Sequence, residues 1–423
     1  MRILVFPHSM EIGGSQLNAI ELAEVAHKQG HDVVVVSQRG PLVDKVRDVG
    51  LEYVEVPAGY GQLSVSMLRF LTRLVDRRSI DVVHGYEWPP AMASYFGPSA
   101  FRRVPVVGTI MSMAVAPFLP RHMPLVVGTE NIRQCAIDAG HRDVTLIEPP
   151  VDIDSNSPAV PRSGFRSAYG LDTDGLLISL VGRLAGSLKR EGVLAACECI
   201  GRLAGQGVPV QLAVVGDGSV YDEVAEKARL ANKEAGRRAV VLTGSMSDPR
   251  PAYAEADIIL GMGGSALRGM AFGKPLVVQG ELGFWRRCTP ETADAFLHAG
   301  WYGLGDLAQP VGKEGISVGA SRLQRELEPL LTSASTRRDL GAFGRDLVTR
   351  RFSLARAAML QEKIYMKVIS QRCTPVSPET ARSAIGMVRH TLHRKAQRLV
   401  GNALSEDFNA VRVQKRIPRS VET

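Results

Sequence analysis

The sequence predicts an α/β protein made of two Rossmann-like, doubly wound parallel-sheet domains facing a cleft. Three observations predict it. At 423 residues the chain is longer than one hydrophobic core normally organises. Short apolar runs alternate with segments of helical spacing, which is the pattern of a parallel sheet covered on both faces. That pattern occurs twice, on either side of a proline- and serine-rich break over residues 149–161. The expected divisions are residues 1–160, residues 161–352, a helix over 353–370, and a basic helical or disordered tail over 371–423.

In chain order, residues 1–6 read as a fully buried strand, followed by a turn containing Gly13-Gly14. Residues 15–29 have helical spacing with Gly30 as the stop, and 31–37 is the next strand. Gly-x-Gly-x-x-Gly is absent, so this opening is not the dinucleotide fingerprint. Further strands are expected at 53–56, 81–84, 104–109, 125–129 and 144–147. The pattern restarts with a strand at 176–181, a turn over 182–190 and a helix to Leu203. Strands follow at 210–215, 239–242, 257–260 and 275–279, with a short helix at 265–272 stopped by Gly273. Beyond Ser321 the chain turns helical, and 353–369 is amphipathic.

The bulk numbers describe an ordinary globular protein: 45% hydrophobic, 22% charged and 6% aromatic residues. A formal charge of +8 and a pI near 9.3 suit an anionic ligand or surface. Sparse aromatics and the lack of any nucleic-acid motif argue against nucleic acid. The opening apolar run is too short for a signal peptide and no later run has the length of a membrane span, so a cytoplasmic protein is expected. Five scattered cysteines lack zinc spacing and read as reduced and structural. In the tail, Arg382, Arg389, Arg394, Lys395 and Arg398 share a helical pattern with Ile385, Met387, Val388, Leu392 and Leu399. A basic amphipathic helix of this kind can lie on a membrane surface; a solvated helix is the plainer alternative.

Several turns sit where a strand feeds a helix, and the first turn of a helix offers N–H groups without internal acceptors to an anion. Gly263-Gly264-Ser265-Ala266-Leu267-Arg268 is one such turn, and Gly13-Gly14 another. Arg183 and Lys189 follow the strand at 176–181. Arg presents a planar fork to two phosphate oxygens and Lys a mobile point charge, so together they suit a diphosphate whose charge grows as a bond breaks. In a loop without such surroundings both would read as surface charges. His84 and Glu87 lie just past the strand at 81–84. His84 can orient or deprotonate a hydroxyl, because its ordinary pKa is near neutrality; a purely structural histidine is the other reading. His8 is a second candidate of that kind.

Leu267-Arg268-Gly269-Met270-Ala271-Phe272-Gly273-Lys274-Pro275 resembles the donor-site signature of the retaining glycosyltransferases of family 4, which have the GT-B architecture. Gly13-Gly14 resembles that family's acceptor-side glycine loop, and Gly182-Arg183-Leu184 with Lys189 its diphosphate grip. Gly216-Asp217-Gly218 resembles the Gly-x-Gly turn of the donor domain, and Gly244-Ser245-Met246 the loop that meets the nucleobase. The resemblance covers roughly residues 1–369 and implies that the helix over 353–370 crosses back to the first domain. It implies roles for Arg183, Lys189 and His84 in catalysis and for the glycine turns and Arg268 at the donor; by position, His8 and Glu87 are the acceptor-side candidates.

Three departures fall at the chemical centre. Arg268 and Leu260 stand where the family has glutamates, and Met111 stands where a Thr-x-His places a histidine near the reacting sugar. Glu281, emerging after the strand at 275–279, is expected to restore a carboxylate for the ribose hydroxyls. The implied function is transfer of a sugar from a nucleoside-diphosphate sugar to an acceptor hydroxyl, retaining and metal-independent, with no cofactor. The acceptor is a glycan, a lipid or a small molecule. Two alternatives stand beside it: a degenerate sugar-nucleotide binder or partner subunit, and a sugar-nucleotide epimerase.

Overall fold

The computed structural model describes residues 1–305, 317–371 and 378–399 except 62, 113 and 163. Cys373, and the predicted tail beyond Leu399, lie outside them. The described residues form two compact units, Met1–Pro150 with those from Leu354 to Leu399, and Val151–Ser353. Residues 151–160, expected from the sequence to end the first domain, pack in the second unit because their backbone groups find partners there. Val151 N donates to Phe352 O (2.8 Å), and the Arg345 guanidinium donates to Asn156 O (3.0 Å) and Ile153 O (3.1 Å).

The first sheet comprises β1 (Arg2–Phe6), β2 (Asp32–Ser37), β3 (Glu52–Glu55), β4 (Val82–Tyr86), β5 (Val106–Ile110), β6 (Leu125–Val127) and β7 (Val144–Leu146). Its order is β3-β2-β1-β4-β5-β6-β7, with every pairing parallel. Val33 to Val36 are almost fully buried although they alternate between faces, which is why the strand reads as an unbroken apolar run. The second sheet comprises β8 (Leu176–Val181), β9 (Val210–Val215), β10 (Val240–Gly244), β11 (Ile258–Gly261), β12 (Leu276–Gln279) and β13 (Trp285–Arg287), in the order β10-β9-β8-β11-β12-β13. β13 is antiparallel to β12; with two arginines among its three residues it lacks the apolar run that marks the other strands.

In each sheet the chain runs outward on one side of its first strand and then returns to build the other side. The reversal lies between β1 and β4 in the first sheet and between β8 and β11 in the second. At such a switch point the two flanking loops leave in opposite directions and open a crevice at the strands' carboxyl ends.

The helix Leu354–Ser370 belongs to the first unit. Its Ala357, Ala358, Ile364, Tyr365 and Val368 share a core with Ile3, Ala19, Val33 and Val82. Tyr365 Oη bonds His84 Nδ1 (2.6 Å) and Tyr86 Oη donates to Gln361 Oε1 (3.2 Å). Because these polar groups are buried, Tyr365→Phe is expected to lower unfolding stability by about 1–2 kcal/mol, read from urea midpoints at unchanged slope. The helix Pro378–Leu399 also lies on the first unit. Glu379 accepts from Arg121 N (3.2 Å) and contacts His122, and Gly386 packs on Phe118. No helix among the described residues is long and apolar enough to cross a membrane. Cys197, Cys199 and Cys288 are buried free thiols, each pushed up to about 12 by that burial.

Candidate active site

In the second unit the parallel strands deliver five candidate loops to one sheet edge. Arg183 and Lys189 follow β8, Gly216 follows β9, Gly244 ends β10, Gly263 to Arg268 follow β11, and Glu281 follows β12. The first three loops are tied together by Gly182 N to Val215 O and Gly216 N to Gly244 O (both 2.9 Å) and Leu184 N to Asp217 O (2.8 Å). A Cβ on Gly216 would sit 2.0 Å from Gly182 O, so that approach requires glycine. The Lys189 ammonium lies over Gly182, 2.7 Å from where a Cβ would be. Burial, and then the like charge of Arg183, pull its pKa down to about 8. Neither cation is paired with a carboxylate among the described residues.

The loop after β11 turns at Gly263, whose φ of 53° with ψ of −130° suits only glycine. The helix Gly264–Ala271 begins there, and Ser265 Oγ donates to Met262 O (3.0 Å). The Arg268 guanidinium lies alongside Gly264.

In the first unit, Gly13 caps the helix Gly14–Lys28 with extended backbone. Gln16 fixes the preceding loop, its amide nitrogen donating to Ser9 Oγ (2.8 Å) and His8 Nε2 (3.1 Å). An amide nitrogen only donates, so His8 Nε2 accepts there. Glu87 follows β4 with φ of 72°, an uncommon conformation for a residue with a side chain. Its carboxylate accepts from Ser15 Oγ (3.2 Å), Met111 N (3.1 Å) and Ser112 Oγ (2.9 Å). Burial raises its pKa against those hydrogen bonds. The first turn of the helix after β1 and the loops after β4 and β5 are thus joined through one carboxylate.

Residues 12–154 match the family described as Glycosyltransferase Family 4, and residues 175–294 match Glycosyl transferases group 1. Both halves are glycosyltransferase domains. A glycosyltransferase from Rickettsia africae ESF-5 superposes with a TM-score of 0.67 at 16% identity, over 88% of this chain and 99% of that one. Alr3699/HepE of Anabaena, in complex with UDP-glucose, superposes at 0.64 and 15% identity over 87% and 100%. The catalytic domain of starch synthase IV from Arabidopsis thaliana, bound to ADP and acarbose, superposes at 0.61 and 14% identity over 88% and 100%. These likenesses show the GT-B fold. No curated protein matches the chain at a significant level.

Within this glycosyltransferase some expected site residues are buried or partnered otherwise than the sequence implies. His84 is fully buried between Tyr365 Oη and Thr109 Oγ1, both at 2.6 Å, and burial pulls its pKa down to about 3. It has no face for an acceptor, so its role is structural. Between pH 6.5 and about 3 the unfolded chain binds a proton that the folded His84 refuses, so stability falls as pH falls through that window. His84→Leu is expected to flatten this slope in urea titrations at pH 4 and 6.5.

Ala266 and Leu267 are fully buried, so only their backbone could serve a donor. Leu260, also buried, is a core residue of β11. Ser245 is exposed and Met246 half-buried beyond β10. Glu281 does emerge at the expected edge, but its carboxylate accepts from Leu188 N (3.1 Å) and Tyr302 Oη rather than standing open. Glu191, Gln279 and Tyr302, which bear on the Lys189 loop, carry no sequence motif and were not among the expected residues.

Proposed function

We propose that the protein moves a glycosyl group from a nucleoside-diphosphate sugar to an acceptor hydroxyl, with retention at the anomeric carbon. Arg183 and Lys189, rather than a metal ion, bear on the leaving diphosphate. What carries the reading is a pair of cations without a carboxylate partner among the described residues, in the loop at the second sheet's switch point. As the glycosidic bond breaks, negative charge grows on the diphosphate. Fixed cations then stabilise the transition state more than the ground state. In the retaining scheme the leaving phosphate oxygen takes the proton of the attacking hydroxyl on the same face, so no enzymic nucleophile is needed. Glu87, tying a helix start to two loops at the first unit's sheet edge, is the acceptor-side carboxylate of this reading.

Proteins of this fold bind UDP-glucose, or ADP with acarbose, which makes UDP and ADP the first nucleotides to try, with GDP as a third. A ligand at about a hundred times its Kd should add roughly 3 kcal/mol of apparent stability, which a thermal-shift panel reads directly. Product analysis by NMR reports the anomeric configuration, and turnover is expected to survive EDTA. Inversion at the anomeric carbon, or loss of turnover on chelation that added divalent metal restores, would refute this mechanism. Because Lys189 titrates near 8, nucleotide affinity is expected to fall as pH rises through that value and the ammonium loses its charge; calorimetry at pH 6.5 and 9 measures it.

The helix Pro378–Leu399 supports peripheral contact with an anionic membrane. Ile385, Val388 and Leu392 are each more than half exposed on a helix that also carries Arg382 and Arg389. Co-sedimentation with phosphatidylglycerol vesicles but not phosphatidylcholine vesicles is the expected result; equal recovery with both would remove the electrostatic part of the reading.

A further inference from the structure

The Lys189 loop is held in place by the loop that follows β12, and the holding is reciprocal. Glu281 Oε1 accepts from Leu188 N (3.1 Å), and Glu191 in turn accepts from Leu282 N (2.8 Å) and Gly283 N. Both leucines lie in the left-handed region, Leu188 at φ of 64° and Leu282 at 56°, where residues with side chains are rare. Each strained N–H is therefore fixed by the carboxylate one residue from, or three residues beyond, the other strained leucine. A third tie comes from the buried Gln279, whose amide donates to Lys189 O (3.0 Å). It fits there because Gly192 has no side chain; a Cβ would lie 2.3 Å from the amide nitrogen. Tyr302 Oη donates to the second oxygen of Glu281.

We infer that Glu281 and Glu191 form a reciprocal clamp, and that they act as positioning residues that keep the Lys189 ammonium presented to the donor's diphosphate. The need for a clamp is electrostatic. Lys189 is held over Gly182 beside Arg183, and a desolvated ammonium next to a like charge would move into water if its backbone were free. Strain at functional sites persists only where the surroundings over-determine it, and here the two loops determine each other. The inference rests on the donor-site reading above and replaces the expectation that Glu281 receives the ribose hydroxyls.

The test titrates wild type, Glu281→Ala and Glu281→Gln with UDP, ADP and GDP and with the matching nucleosides. With the clamp lost, Glu281→Ala is expected to weaken the best nucleoside diphosphate by roughly tenfold or more and leave its nucleoside unchanged. The pH at which diphosphate affinity falls should move up, as Lys189 swings into water and regains an ordinary pKa. Glu281→Gln, keeping an oxygen for Leu188 N, should recover most of the affinity. Equal losses for diphosphate and nucleoside would mean a ribose contact and overturn the inference, as would an Ala variant that binds the diphosphate like wild type. If Glu281→Ala does not fold, Glu191→Ala breaks the clamp from the other loop and is judged by the same comparison. Wild type binding none of the three diphosphates would instead defeat the donor-site reading itself.

Discussion

Arg183→Glu should lower nucleoside-diphosphate affinity and glycosyl transfer by at least about a hundredfold, the scale of removing a charged transition-state contact and putting a like charge in its place. Arg183 is exposed and joins no ion pair among the described residues, so the melting temperature should scarcely move. That separation is what gives the experiment its force. A variant that folds as wild type does but neither binds nor turns over locates the chemistry in the loop after β8. A variant with unchanged turnover would dismiss the diphosphate reading at its root. Arg183→Lys should fall between the two, since an ammonium keeps the charge but loses the fork.

Gly216→Ala should have the largest effect on stability, about 3 kcal/mol or more, because two independent penalties coincide. The new Cβ would meet Gly182 O at 2.0 Å, a backbone atom that cannot rotate away, and φ is 145°. Relief can come only by parting β8 from β9 at their carboxyl ends, which also displaces Arg183. Gly14→Ala makes the contrast. Nothing lies within 4 Å of the Cβ it would add, and alanine suits the start of a helix, so stability should stay within about 0.5 kcal/mol. Urea melts of both variants check the pair. A mild Gly216→Ala would mean that the strand ends are looser than their hydrogen bonds indicate.

Much of the fold was legible because parallel strands buried on both faces leave an unmistakable trace. Val33 to Val36 cannot be anything else once glycine stops flank them, and the predicted strands fall within a few residues of those found. One edge was not legible: β13, Trp285–Arg287, carries two arginines and so gives no apolar run, whereas the equally short β7 does. For the site, position was readable and orientation was not. Glu281 comes out at the expected edge, but its direction depends on Leu188 and Tyr302, 93 and 21 residues away in sequence. His84 falls at a strand end as the motif implies, and Tyr365, 281 residues distant, turns it into a core hydrogen bond. Glu191 and Gln279 matter because two leucines adopt left-handed backbone, a property that no spacing rule reports.

The return of the helix Leu354–Ser370 to the first core bears on how the protein is made. On the ribosome, residues 1–150 emerge long before the segment that supplies Ala357, Ile364 and Tyr365. At roughly 5–20 residues per second the nascent first unit must wait on the order of ten seconds or more with that face uncovered. During this interval His84 and Tyr86 lack their Tyr365 and Gln361 partners. Biogenesis therefore proceeds out of sequence order, with the interior half able to finish before the half that began first.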